Sequence, residues 1–246
     1  MEKHLLVTLG EEKFEKRKQS KEMVHFMNNE AEDTFLNDLE NTPHAFVLAC
    51  LMDKQIKAEK AWHIPYVIRE ELGCFDIETL GNVGLDRYIS IFEKNRLHRF
   101  NRDQAEIFYL GVHRILDIYE GDISKIWCDN PSSAKVVYEF LQFKGAGVKI
   151  ATMTANILVR DFLIPFSDYY SIDISPDTHI MKIMKRTGLV SKDADRDSVI
   201  YKARELNPSF PGIIDFSCWE IGRSWCHLAN PDCENCILRE VCEKCI

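Results

Sequence analysis

Four cysteines near the C-terminus, Cys226, Cys233, Cys236 and Cys242, stand in the spacing C-x6-C-x2-C-x5-C. Charged and polar residues separate them, and thiolates set this closely converge on a metal more readily than on one another. Cys233 and Cys236 are only three positions apart, which suits one corner of a metal centre and would strain a disulfide. The spacing admits two occupants, because four-cysteine zinc sites use the same C-x2-C knuckle as iron-sulfur sites. Cys245, beside the quartet, is a spare thiol and a rival to Cys242 as the last ligand.

The chain holds nine cysteines, an odd number, so a complete disulfide framework is excluded. Cys50, Cys74, Cys128 and Cys218 lie in apolar or mixed stretches and read as small buried hydrophobes. The N-terminus turns charged after Gly10, which argues against a signal segment. The longest apolar runs, such as residues 46–52, are far too short to span a bilayer. The expected setting is therefore intracellular and reducing, either cytoplasm with nucleoid or nucleus, with no membrane partner.

With 246 residues, 46% of them hydrophobic, the chain can bury a sizeable core in one or two domains. Its net charge of -8 argues mildly against nucleic acid, since binding phosphate needs local positive potential. The charge is uneven, however. Residues 1–40 carry ten acidic and six basic side chains, whereas residues 141–190 carry six basic and four acidic ones. A basic face on an acidic body is compatible with that distribution.

Apolar residues recur at three- and four-residue intervals, as in Phe46, Val47, Cys50 and Leu51, and again in Phe108, Val112, Ile115, Leu116 and Tyr119. No alternating strand pattern competes with them, and the expected class is all-α. Helix starts are marked by Asn101 or Asp103 and by Ser132 or Ser133, and breaks by Gly73, Gly121, Pro165 and Pro208. The charged segment 13–40 reads as a solvated helix or an arm.

A second constraint comes from residues 138–158. A helical apolar pattern runs up to Phe143, Gly145 and Gly147 bracket one alanine, and the helical pattern then resumes. This is a helix-hairpin-helix pattern. The glycines permit a tight turn with positive dihedrals, and the start of the second helix offers backbone N–H groups to a phosphate. Such contacts set register on a duplex without reading its bases. A Gly-x-Gly between two helices also serves as a plain connector.

Taken in order, the hairpin glycines, Lys149, the run Asp177-Thr-His-Ile180 and the cysteine quartet resemble the endonuclease III branch of the helix-hairpin-helix DNA glycosylases, over roughly residues 43–242. The resemblance implies two helical lobes, residues 43–176 and residues 1–42 with 177–246, and an active site in the cleft between them. It implies a 4Fe-4S cluster rather than zinc on Cys226, Cys233, Cys236 and Cys242, and residues 219–226 are similar to the helix leading into the first ligand. It implies a catalytic pair, Lys149 and Asp177, and DNA contacts through Lys144, Gly145, Gly147 and Val148. Residues 52–55 are similar to the family's Ser-Ala-Gln region, which makes Gln55 the residue that enters the duplex. The stretch 96–100 is a second wedge candidate. Two departures stand out: Asp53 replaces a small residue, and residues 162–171 enlarge the gap between Lys149 and Asp177.

The chemistry of that pair follows from the reaction itself. Releasing a base breaks a bond at the sugar's anomeric carbon, which develops cationic character, and an ionised carboxylate beside it lowers the barrier. A neutral amine there can form a Schiff base with the opened sugar and promote loss of the 3′ phosphate. Lys149 would be the nucleophile and Asp177 the carboxylate that accepts its proton. Asp168 and Asp173 are nearby rivals, and Asp177 also suits an N-cap. The expected function is base-excision repair: a DNA glycosylase and AP lyase, acting as a monomer on double-stranded DNA with a damaged or modified base. The alternatives are a monofunctional glycosylase with water activated by Asp177, and a non-catalytic DNA-binding module with a zinc or redox-sensing quartet.

Overall fold

The computed structural model describes residues 4–20 and 22–244, and among the described residues every regular element is helical. The all-α class expected from the periodicity is the class the chain adopts. The α-helices are α1 (Leu5–Gln19), α2 (Glu30–Asn37), α3 (Pro43–Met52), α4 (Ala58–Leu72), α5 (Ile77–Gly81), α6 (Leu85–Asn95), α7 (Asn101–Tyr119), α8 (Ser133–Leu141), α9 (Val148–Arg160), α10 (Thr178–Arg186), α11 (Arg196–Leu206) and α12 (Asp215–Ser224). Short 3-10 turns occupy Ile123–Ile126 and Pro211–Ile214. No described helix is long and apolar enough to cross a membrane. The contacts divide the chain into two compact units, one made of Glu22–Pro131 and Tyr138–Ile150, the other of Met1–Lys21, Ser132–Val137 and Ala151–Ile246.

The first of these units is organised on α3 and α7. Pro43 opens α3, where its fixed dihedral and missing N–H cost nothing, and every residue from Pro43 to Met52 is buried. A helix apolar on all sides belongs at the centre of its unit, and α3 packs against α2, α4 and α7. Gly111 of α7 lets it approach closely, because a methyl group there would come within 3.0 Å of Leu48 and 3.1 Å of Leu51. On α7, Phe108 is fully buried among the rings of Phe75, Tyr88 and Phe92, at centroid separations of 6.4, 5.3 and 6.2 Å. Aromatic pairs at such distances and tilts gain stability beyond their buried area.

The other unit packs α12 against α10 and α1, with the turn Pro211–Ile214 bridging α1 and α11. The buried face of α1 is Leu6, Val7, Gly10 and Phe14, and the Phe14 ring meets Phe210 at 5.8 Å. The charged stretch 13–40 thus divides: its start completes α1, and residues 30–37 form α2, whose N-cap Asn29 accepts from Ala31 N and Glu32 N. The expected buried cysteines also divide. Cys50 and Cys218 are buried, Cys74 is partly so, and Cys128 is exposed. Trp127 takes the buried position and packs against Phe140, which leaves Cys128 on the outside of the turn.

Candidate functional residues

The chain between α8 and α9 turns at Gly145, whose φ of +85° lies in the left-handed region where a side chain is strained. A methyl group there would also come within 2.7 Å of Ile107 on α7, so the turn is seated directly on that helix. Ala146 N donates to Phe143 O at 3.1 Å and closes the turn. Lys144, Gly147 and Val148 are exposed, and a methyl group on Gly147 would meet no described atom within 4 Å. Lys149 follows as the second residue of α9.

The Lys149 amine reaches back 96 residues to Asp53. Its Nζ forms a hydrogen-bonded ion pair with Asp53 Oδ2 and lies 3.5 Å from the Asp53 carbonyl oxygen. The Asp53 side chain is 11% exposed and that of Lys149 34%, so the carboxylate is the more enclosed partner. Asp53 is the C-cap of the buried α3, with its N–H bonded to Cys50 O at 3.1 Å. Two residues on, exposed Gln55 has φ +58°, a left-handed backbone in a non-glycine residue. Strain of that kind persists where the surroundings enforce it, and it gathers at functional positions. In the 96–100 stretch Leu97 and His98 are buried, while Arg96, Arg99 and Phe100 are exposed.

Asp177 belongs to the other unit, where it caps α10: its Oδ1 accepts from His179 N and Ile180 N, each at 2.8 Å. Capping fixes the carboxylate at the positive end of a helix dipole. The rival carboxylates are occupied elsewhere. Asp173 makes a two-point pair with Arg204 at 2.7 and 2.7 Å, and Asp168 accepts from the Ser133 hydroxyl. Asp215, which the sequence reading did not single out, is buried on α12 and accepts from Ser175 N at 3.1 Å. It thereby holds the segment that leads into Asp177. Burial pushes the Asp215 carboxyl up to about 6; Arg160 opposes the shift and Asp177 adds to it.

Cys226, Cys233, Cys236 and Cys242 line one cavity, together with Trp225 and Ile183. Cys245 lies outside the described residues. Arg186, at the end of α10, pins the loop by donating to His227 O at 2.6 Å and Leu228 O at 2.9 Å, and its Nη1 lies 3.4 Å from Cys226 Sγ. Lys244 N lies 3.4 Å from Cys242 Sγ. Burial pushes the Cys236 thiol up, the backbone N–H of Leu238 opposes it, and the three other cysteines add to it, so a bound cation would release its proton. Among the described residues no three His, Cys, Asp or Glu groups make a ready-formed metal site.

No protein-family model matches the chain. In sequence it is similar to the endonuclease III of Thermotoga maritima, 30% identical over 140 residues that take in 57% of this chain and 60% of that protein. The similarity thus spans three fifths of the length of that relative. In fold the chain is similar to an endonuclease III solved in a non-covalent complex with DNA, with TM-score 0.65 and 16% identity over 99% of this chain and 96% of that one. It is also similar to a thermostable thymine-DNA glycosylase, with TM-score 0.63 and 11% identity over 98% and 96% of the two chains. At these identities the likeness shows the fold, and the resemblance drawn from the hairpin, the Asp-Thr-His run and the quartet is borne out.

The burial of Asp215 predicts a pH dependence of stability. Between the unfolded carboxyl's value of 3.8 and about 6, the folded chain keeps a proton that the unfolded chain has released, so stability falls as pH rises through this window. The free energy of unfolding of the wild type, less that of Asp215→Asn, should drop by about 2 kcal/mol between pH 4 and pH 6 and level off above pH 7. Urea unfolding across that range checks it; a flat difference would contradict the burial argument.

Proposed function

We propose, from the endonuclease III-like fold as premise, that this protein is a base-excision DNA glycosylase that removes a damaged or modified base from duplex DNA and then nicks the strand as an AP lyase. The observation that carries the reading is the place of Lys149. Its amine stands on the first turn of α9, immediately after a glycine turn in a chain of this fold. The positive end of the α9 dipole, with Lys144 beside it, suits a phosphate, and the bare surface at Gly147 leaves a backbone room to approach. Gln55, on its strained loop, fills the gap left when the target nucleotide leaves the stack. The protein acts as a monomer, inside the cell, where DNA is found.

In this reading the Lys149 amine, freed of its proton, attacks the sugar's anomeric carbon. The bond to the base breaks, and the base departs with the electron pair and takes up a proton. Ring opening leaves a Schiff base on Lys149, and loss of a proton from the adjacent carbon expels the 3′ phosphate. Asp177 stabilises the cationic sugar and accepts the lysine's proton. The ion pair of Lys149 with Asp53 supports a second reading, in which Lys149 remains an ammonium steering phosphate and Asp177 activates water for base release alone.

Cys226, Cys233, Cys236 and Cys242 would hold a 4Fe-4S cluster that ties the C-terminal loop into a fixed shape. Four thiols lining one cavity suit the four corners of a cluster, and the endonuclease III-like fold favours that occupant over zinc. With all four corners bound by protein thiolates, the group is structural.

A panel of single-lesion duplexes tests the function. At least one lesion should be released, and Asp177→Asn should slow that release by about a hundredfold or more. Lys149→Ala should abolish nicking in the first reading. In the second, wild type and Lys149→Ala should both release base and leave the strand intact. No release across the panel would remove the proposal. For the metal, purified protein should contain iron and inorganic sulfide and absorb broadly near ~400 nm, and Cys233→Ser should lower the melting temperature. Colourless protein with stoichiometric zinc would contradict the cluster.

A further inference from the structure

We infer that Asp53 is a resting-state clamp on Lys149: its carboxylate holds the amine as a paired ammonium, and breaking that pair limits how fast the amine can act on a sugar. The inference rests on the lyase reading of Lys149 and adds a regulator to it. The Nζ reaches two oxygens of Asp53, the carboxylate Oδ2 and the carbonyl oxygen at 3.5 Å. Asp53 is a firm anchor for them, because it caps a helix buried along its whole length. Its carboxylate is mostly enclosed, so water screens the pair less than it screens an ion pair on an open surface.

The consequence for chemistry is direct. Attack on carbon needs the nitrogen lone pair, and an ammonium donating to a carboxylate has none to offer. The amine must leave Asp53 and lose its proton before it reacts, so the clamp slows the attack on the sugar and the nicking that follows from it. The loop that carries Asp53 also carries Gln55, with Lys54 N bonded to Met52 O at 2.8 Å between them. A loop strained at Gln55 can shift when it meets a duplex, and a shift at position 55 draws on Asp53 two residues away.

The test uses the full chain and the variants Asp53→Ser, Asp53→Asn and Asp53→Glu, each checked by melting temperature. In the free protein, a short pulse of formaldehyde and cyanoborohydride methylates accessible neutral amines, and peptide mass spectrometry compares Lys149 with exposed Lys144 as internal reference. Labelling of Lys149 should rise several-fold in the serine and asparagine variants and stay at the wild-type level in the glutamate variant. Nicking of an abasic-site duplex under single-turnover conditions should rise in parallel. Unchanged labelling overturns the clamp, and so does faster labelling with slower nicking. Faster labelling with no nicking by any form removes the lyase reading and the rate limit with it, leaving only the resting ion pair. Nicking that depends on Lys149 but is indifferent to Asp53 removes the clamp and leaves the lyase reading intact.

Discussion

The seating of the Gly145 turn on Ile107 governs where the amine of Lys149 stands. Because only glycine tolerates both the positive φ and the nearness of Ile107, the start of α9 is fixed to α7 at this point. One helical turn further along α7, Gly111 admits Leu48 and Leu51 of α3. Residues four apart share a helix face, so α7 acts as a common ruler for both neighbours. One neighbour delivers Lys149 and the other, through its C-cap, delivers Asp53. The ion pair between residues 96 positions apart is the product of two close approaches to one helix.

In the other unit α10 has a comparable place. Asp177 caps its beginning, Arg186 near its end holds the backbone of the cysteine loop, and α12 packs alongside. Asp215 on α12 secures Ser175 just ahead of the cap. A carboxylate held by two backbone N–H groups cannot swing freely, which is what electrostatic stabilisation of a developing charge requires. The loop beyond α12 has few apolar anchors: Leu238 is buried, while Leu228, Ile237 and Val241 are exposed. A loop of that composition gains most from a metal that replaces a core.

What was legible in the sequence was local. The helices, the hairpin glycines, the cap at Asp177 and the compact quartet all declare themselves within a few residues, because their physics is a matter of dihedral angles and neighbouring hydrogen bonds. What was not legible joins distant residues. Asp53 could be seen as an odd residue beside Gln55, but nothing in the chain announced that it meets Lys149. Asp215 carries no local signal, because its burial and its bond to Ser175, 40 positions away, are set by the fold. The partners of Asp168 and Asp173, Ser133 and Arg204, lie 35 and 31 positions away and are also set by the fold. The left-handed backbone of Gln55 is likewise set by its surroundings, not by its residue type.

The central claim, that the Lys149 amine becomes covalently bound to the sugar, has a direct measurement. Protein reacting with an abasic-site duplex is reduced with borohydride, digested with protease and nuclease, and mapped by mass spectrometry. The account predicts a deoxyribose adduct on the peptide bearing Lys149. An adduct on another amine, or strand nicking with no adduct at all, would contradict it.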